Sequence, residues 1–218
     1  MIERILPGTV ASAETTAEDE PIELFPEEAA HIRQSVPRRQ GEFRAVRACA
    51  RQALAALGHQ AVPLLPGERG APRWPDQVVG SMTHCLGYRA AALAPAAEVL
   101  TVGIDAEPNQ PLPDGVLEAV ARSEELPRLA ALTGAHPGLC ADRLLFSAKE
   151  SVYKAWFPLT RLMLDFSEAT LTFEPDGTFA ARLLVPGPLV AGRRLPGFEG
   201  RWLAEDGLVV TAITVLHS

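Results

Sequence analysis

Two apolar runs, Tyr88 to Ala94 and Val99 to Ile104, are separated only by a short turn and constrain this chain more than any other feature. Each is short, continuous and apolar, so both read as buried strands. The last third repeats the theme. LDFSEATLTF and TFAARLLV flank Pro175-Asp176-Gly177, while GFEGRWLAE and LVVTAITV flank Asp206-Gly207. Both arrangements read as hairpins. Helical patterns run from Pro26-Glu27-Glu28 onward, from Gln40 to Leu57, from Val116 to Leu132 and from Ala141 to Trp156; Gly58 stands where a helix C-cap belongs. Residues 1 to about 26 read as a loosely ordered lead-in with one short strand, and residues 61–77 hold too many prolines and glycines for regular structure. An α+β architecture follows, with no internal repeat and no low-complexity tract.

A chain of 218 residues suits one compact enzyme domain or two small lobes, and 47% hydrophobic residues can build a core. The formal net charge of -7 argues against a protein that coats nucleic acid, because such binding rests on neutralising phosphates. Cys49, Cys85 and Cys140 match neither a zinc ribbon nor a disulfide framework. Met1 to Val10 lacks a cationic leader, and nothing later is long and apolar enough to span a bilayer, so a cytoplasmic protein without membrane attachment is expected.

Three clusters carry chemistry. In Thr101-Val102-Gly103-Ile104-Asp105-Ala106-Glu107, strand alternation sends Val102, Ile104 and Ala106 to one face and Gly103, Asp105 and Glu107 to the other. The paired carboxylates then suit a hard cation, with the glycine leaving room above the backbone; a solvated strand face would read the same. In FSAKESVYKAW, Lys149, Glu150, Tyr153 and Lys154 share one helical arc. Ser147 with Glu150 also fits a capping box, and Glu150 with Lys154 an ordinary surface pair, although Tyr153, Trp156 and Phe157 crowd one turn. The third cluster is cationic. Thr83 and His84 sit in a small, hydroxyl-rich segment before the first strand, where donors can meet a phosphate or simply satisfy a turn. Arg44, Arg47 and Arg51 edge the apolar stripe Phe43, Val46, Ala50, Leu54 and Leu57, with Arg38 and Arg39 just ahead and Arg69 and Arg73 in the following loop. Forked guanidinium groups suit several phosphates of one ligand, and snorkelling arginines would look alike. Cys85 beside His84 does not make a thiol protease, because neighbours on a strand point to opposite faces.

Taken in order, RRQGEFRAVRACARQALAALG, GAPRWPDQVVGSMTHCLG, VGIDAE and FSAKESVYKAW resemble the phosphopantetheinyl transferases of the Sfp-like and enterobactin-synthetase-component-D-like group, over Arg38 to about Pro158. GxDxE followed some forty residues later by FSxKExxYK is the specific part of the match.

The resemblance implies two related α+β lobes, 1–104 and 105–218, with coenzyme A and magnesium (or manganese) in the cleft between them. It implies Asp105, Glu107 and Glu150 as metal ligands, and Lys149 and Lys154 as lysines near the pyrophosphate. Thr83 and His84 would lie at the coenzyme, and Arg39, Arg47 and Arg69 around its 3′-phosphate. The implied reaction moves the phosphopantetheine arm onto a serine of an apo acyl- or peptidyl-carrier protein. His84, Lys149 and Lys154 would stabilise charge and Glu150 would act as general base. Carriers of fatty-acid, polyketide, peptide-synthetase or siderophore systems all fit, as in secondary metabolism. A monomer is expected, since two lobes in one chain complete the cleft. The alternatives are a non-catalytic coenzyme A or nucleotide sensor, and a magnesium-dependent nucleotide phosphohydrolase.

Overall fold

The computed structural model describes residues 1–17 and 22–217. In chain order the strands are β1 Ala11–Thr15, β2 Val78–Cys85, β3 Tyr88–Pro95, β4 Val99–Pro108, β5 Ala169–Phe173, β6 Thr178–Leu183, β7 Leu189–Val190, β8 Arg193–Arg194, β9 Gly197–Glu205 and β10 Leu208–Leu216. The α-helices are α1 Pro26–Ile32, α2 Pro37–Ala56, α3 Val116–Val120, α4 Leu126–Ala135 and α5 Ala141–Thr160. Two antiparallel sheets organise them, in the orders β1-β3-β2 and β4-β10-β9-β6-β5, and β7 and β8 form a separate small ladder. The α2 helix packs on the first sheet and α5 on the second, giving two lobes of one plan.

Local chemistry explains much of this. Asp206 and Gly207 both take positive φ, 51° and 75°, the conformation that a two-residue hairpin turn demands. The expected hairpins β5–β6 and β9–β10 form with their full ladders. The helix expected over Val116 to Leu132 is two pieces instead, α3 and α4, with Pro127 at the start of the second. Nor is the lead-in loose: β1 pairs residue by residue with β3, and Ile2, Ile5 and Val10 are buried in the core between the lobes. The edge of β3 needed a partner, and that core needed apolar cover.

The same clasp occurs in each lobe. In the first, Glu28 accepts hydrogen bonds from the backbone N–H of Phe25 and of Leu64, and binds Arg51 of α2. In the second, Glu125 accepts from the N–H of Arg122 and of Leu171, and binds Lys149 of α5 at 2.9 Å. Both glutamates are buried. Each ties a preceding short helix and a later strand or loop to the lobe's long helix.

The lobes meet where β2 runs beside β4. These strands share no ladder, so the β4 edge would leave N–H groups unpaired in the interior, which is unfavourable. Ser81 and Thr83 hydroxyls fill that need, accepting from the N–H of Ile104 and of Ala106, each at 3.1 Å. A lobe boundary between 104 and 105 falls inside β4, whose residues pair with β10 on both sides of it. The chain changes sheet earlier, between Pro95 and Val99.

Candidate active site

The centre of the site is Asp105, 5% exposed, on the β4 face turned toward α5. Thr83 Oγ1 donates to its Oδ1 at 3.2 Å, and Lys154 Nζ donates to the same oxygen at 2.7 Å and to the Ile104 carbonyl at 3.1 Å. The other oxygen, Oδ2, is buried with no hydrogen-bond partner among the described residues. A buried carboxylate oxygen left so is costly, and a ligand atom would relieve it. Glu107 follows two residues on; its Oε2 accepts from Arg143 Nη1 at 3.0 Å, while Arg143 also donates to the Gln110 and Pro111 carbonyls. Burial raises the Glu107 and Glu150 carboxyls above the usual range, and the charge of Asp105 raises both further. Asp105 is thus the negative charge that both glutamates feel.

The glycine at position 103 plays a different part from the one expected. A Cβ there would lie 2.1 Å from the Ser151 carbonyl and 2.8 Å from the Ala155 nitrogen, so Gly103 makes room for the α5 backbone. Small residues on α5 allow that approach: Ser147, Ala148, Ser151 and Ala155 are buried, and both serine hydroxyls hydrogen-bond Thr211 of β10. Ser147 is therefore inside the helix and caps nothing. Close packing brings Glu150 and Lys154 to β4.

Beside them opens a cleft of about 820 Å³, between the Gly67–Trp74 loop, β2 and α5. Glu150, Tyr153 and Lys154 line one wall, and Arg69 and Arg73 lie opposite. Lys149 does not share this face. Its ammonium is buried among Glu125 and the carbonyls of Val120, Phe166 and Ala169, at 2.8–3.3 Å. One residue is about 100° of helix, enough to turn it into the second lobe's interior.

The cations of the first lobe also divide. Thr83 and His84 leave opposite faces of β2, as neighbours on a strand must. His84 Nε2 lies 2.6 Å from Arg39 Nη1 and 3.5 Å from Glu42, so the expected turn segment is a strand whose histidine faces α2. Arg47 stacks over the Phe43 ring, 3.4 Å from its centroid, and donates to the Leu64 carbonyl. Burial lowers its pKa to about 10. Of the arginines expected at a phosphate, Arg39 and Arg69 are exposed, and Arg47 is packed inside.

Comparison with known proteins decides the family. Residues 27–94 match the 4′-phosphopantetheinyl transferase N-terminal domain and residues 101–204 the 4′-phosphopantetheinyl transferase superfamily. The chain is 62% identical to 4′-phosphopantetheinyl transferase Svp of Streptomyces mobaraensis, over 99% of this chain and 89% of that one. It is 49% identical to 4′-phosphopantetheinyl transferase Npt of Nocardia iowensis, over 98% and 99% of the two chains. Identity to 4′-phosphopantetheinyl transferase PptT of Mycobacterium tuberculosis is 44%, over 99% and 98%. The chain belongs to the 4′-phosphopantetheinyl transferase superfamily. It is an enzyme of that class, and among the described residues no helix is long and apolar enough to cross a membrane.

Within this transferase, Asp105, Glu107 and Glu150 offer oxygens of the kind a hard divalent cation takes, and Asp105 Oδ2 has no hydrogen-bond partner among the described residues. Among the described residues no three acidic, histidine or cysteine side chains are gathered closely enough to form a ready cage, since Glu107 is turned to Arg143. Sequence reasoning missed Arg143, Glu125 and Ser81. Arg143 had one legible signal: it precedes Glu150 by seven residues, two helical turns on one face of α5.

Proposed function

We propose that this enzyme transfers the 4′-phosphopantetheine arm of coenzyme A to a serine of an apo acyl- or peptidyl-carrier protein, releasing adenosine 3′,5′-bisphosphate, with magnesium or manganese at Asp105, Glu107 and Glu150. The observation that carries the reading is the buried, half-satisfied Asp105, held by Lys154 at the end of the cleft.

In this reading the serine oxygen attacks the phosphorus that bears the pantetheine arm, and the bond from that phosphorus to the adenosine bisphosphate breaks. Glu150, on the cleft wall, takes the serine proton. Lys154 orients Asp105 through Oδ1, which leaves Oδ2 for ligation, and its charge faces the diphosphate. Thr83 holds Asp105 from the β2 side. His84, Arg39 and Arg69 receive the remaining phosphate charge of the coenzyme. Arg47 and Lys149 act from within, Arg47 by fixing the loop at Leu64 and Lys149 by fixing α5 to Glu125. Asp105, Glu107 and Glu150 would hold a divalent ion, which would supply positive charge against the charge that develops in transfer.

The test incubates the protein with coenzyme A, magnesium and a panel of apo-carriers, then reads the carriers by intact-mass spectrometry. Addition of one phosphopantetheine per carrier is expected. A folded protein that modifies none of them, or that releases inorganic phosphate from coenzyme A without a carrier, would overturn the reading.

A further inference from the structure

Each of the two β4 carboxylates is held by a cation of α5, and the two cations stand on opposite sides of Glu150. Lys154, one turn after Glu150, binds Asp105 through Oδ1 at 2.7 Å. Arg143, two turns before it, binds Glu107 through Oε2 at 3.0 Å. Seven residues of helix span roughly 10 Å, so the Arg143 contact draws Glu107 toward the start of α5 and away from Glu150. The grip is firm. Arg143 is 16% exposed, and its guanidinium also donates from Nε to the Gln110 carbonyl at 2.9 Å and from Nη2 to the Pro111 carbonyl at 2.8 Å. That loop is itself tied to the start of α5. The Leu112 N–H donates to Asp142 Oδ2 at 2.8 Å, and the Asn109 side chain donates to the Gly138 carbonyl and accepts from the Cys140 N–H, each at 2.9 Å. With the guanidinium fixed on a fastened loop, Glu107 reaches toward Asp105 only by leaving it.

We infer that Arg143 is a positioning residue that holds Glu107 away from Asp105 and Glu150, so that the ligand-free enzyme offers a divalent cation two carboxylates and yields the third only against Arg143. The inference rests on the proposed function for the cation itself. Magnesium is commonly held by one or two carboxylates together with substrate phosphates, which suits a site that withholds its third acid. Arginine stays charged at every working pH, so the competition does not lapse. An outer partner of the usual kind acts in the opposite sense: it aims a ligand at the metal, and its loss weakens binding. Here Glu107 is turned to Arg143, and among the described residues no three acidic, histidine or cysteine side chains are gathered for a metal. Loss of Arg143 therefore has a defined sign.

Titration of manganese into the ligand-free protein, read from the electron-spin-resonance signal of the unbound ion, tests the inference. The proteins compared are wild type, Arg143→Met, Arg143→Lys, and Arg143→Met combined with Glu107→Gln. Arg143→Met should bind manganese about fivefold or more tighter than wild type, because a charge opposed to the ion has gone and Glu107 is released. Arg143→Lys keeps the charge but loses the fork, and should fall between. The double variant should return to within about twofold of wild type, since Glu107 contributes little while Arg143 holds it. Unchanged or weaker binding by Arg143→Met would overturn the inference, and so would a double variant clearly weaker than wild type, which would make Glu107 a ligand already. If Arg143→Met does not fold, Arg143→Lys decides by the direction of its shift; failure of both to fold would make Arg143 a structural group and overturn the inference. Wild type that binds manganese more tightly than Arg143→Met overturns only this inference. Wild type that binds none, with or without coenzyme A, overturns the proposed function as well.

Discussion

The two lobes use the same parts to opposite ends. Each sets a long helix on an antiparallel sheet and fastens it with a buried glutamate that accepts from two backbone N–H groups and one cation of that helix. Yet, among the described residues, the first lobe leaves Nε and Nη1 of the buried Arg89 without a hydrogen-bond partner, and the second leaves the buried Asp105 Oδ2 without one. The unmatched groups of the two lobes are therefore of opposite charge. A shared plan therefore fixes where a site can be, while the residues placed on the facing strands decide its chemistry.

Removing the carboxylate at the centre of the site should have the largest effect. Asp105→Asn should lower transfer by about a thousandfold or more, read by intact mass, in a protein that still folds. A folded variant working at the wild-type rate would break the contrast between lobes at its second half.

The clasps come next. Glu125→Gln removes the partner of Lys149, an ammonium 2% exposed, and should destabilise by about 3–5 kcal/mol in urea unfolding. Glu28→Gln should have a smaller effect, because Arg51 is 16% exposed and reaches water. Equal losses would mean that the lobes are matched in energy as well as in bonding. Glu125→Gln should also slow transfer, since Lys149 adjoins Glu150, whereas Glu28→Gln should act on stability alone.

Glycines sharpen the comparison at smaller scale. Gly103→Ala forces a Cβ against the α5 backbone, while Gly80→Ala meets the movable Leu93 side chain at 2.2 Å and the Ala92 carbonyl at 2.6 Å. Overpacking of this kind is worth about 1–3 kcal/mol, and the loss should be larger at Gly103, where helix backbone must shift. Ser81→Ala, which strips the Ile104 N–H of its acceptor, should cost about 1–3 kcal/mol in the same measurement.

Cys85→Ala should change transfer least. Burial first, then the charges of Glu107 and Asp105, push the thiol pKa up to about 12. Its thiolate population should stay small as pH rises through 7 to 9, and alkylation by iodoacetamide should be slow across that range in the native protein. Rapid native-state alkylation would show that this corner is less negative than its two carboxylates imply.

The sequence by itself determined whatever local chemistry controls. Asp206-Gly207 demands a hairpin turn, alternation puts Asp105 and Glu107 on one face of a strand, and the period of α5 sets Glu150 beside Lys154. The GxDxE and FSxKExxYK pair pointed to the family on those terms. Only the tertiary structure decided which groups those side chains meet. Lys149 finds Glu125 across 24 residues of chain, and Thr83 finds Asp105 across 22. No periodicity records such a distance, so Lys149 was expected at the pyrophosphate when it belongs to a clasp. Arg89 carried no sequence signal at all. Its burial, and the lack of a hydrogen-bond partner at Nε and Nη1 among the described residues, arise only once β2 and β3 have paired and α2 has packed on them.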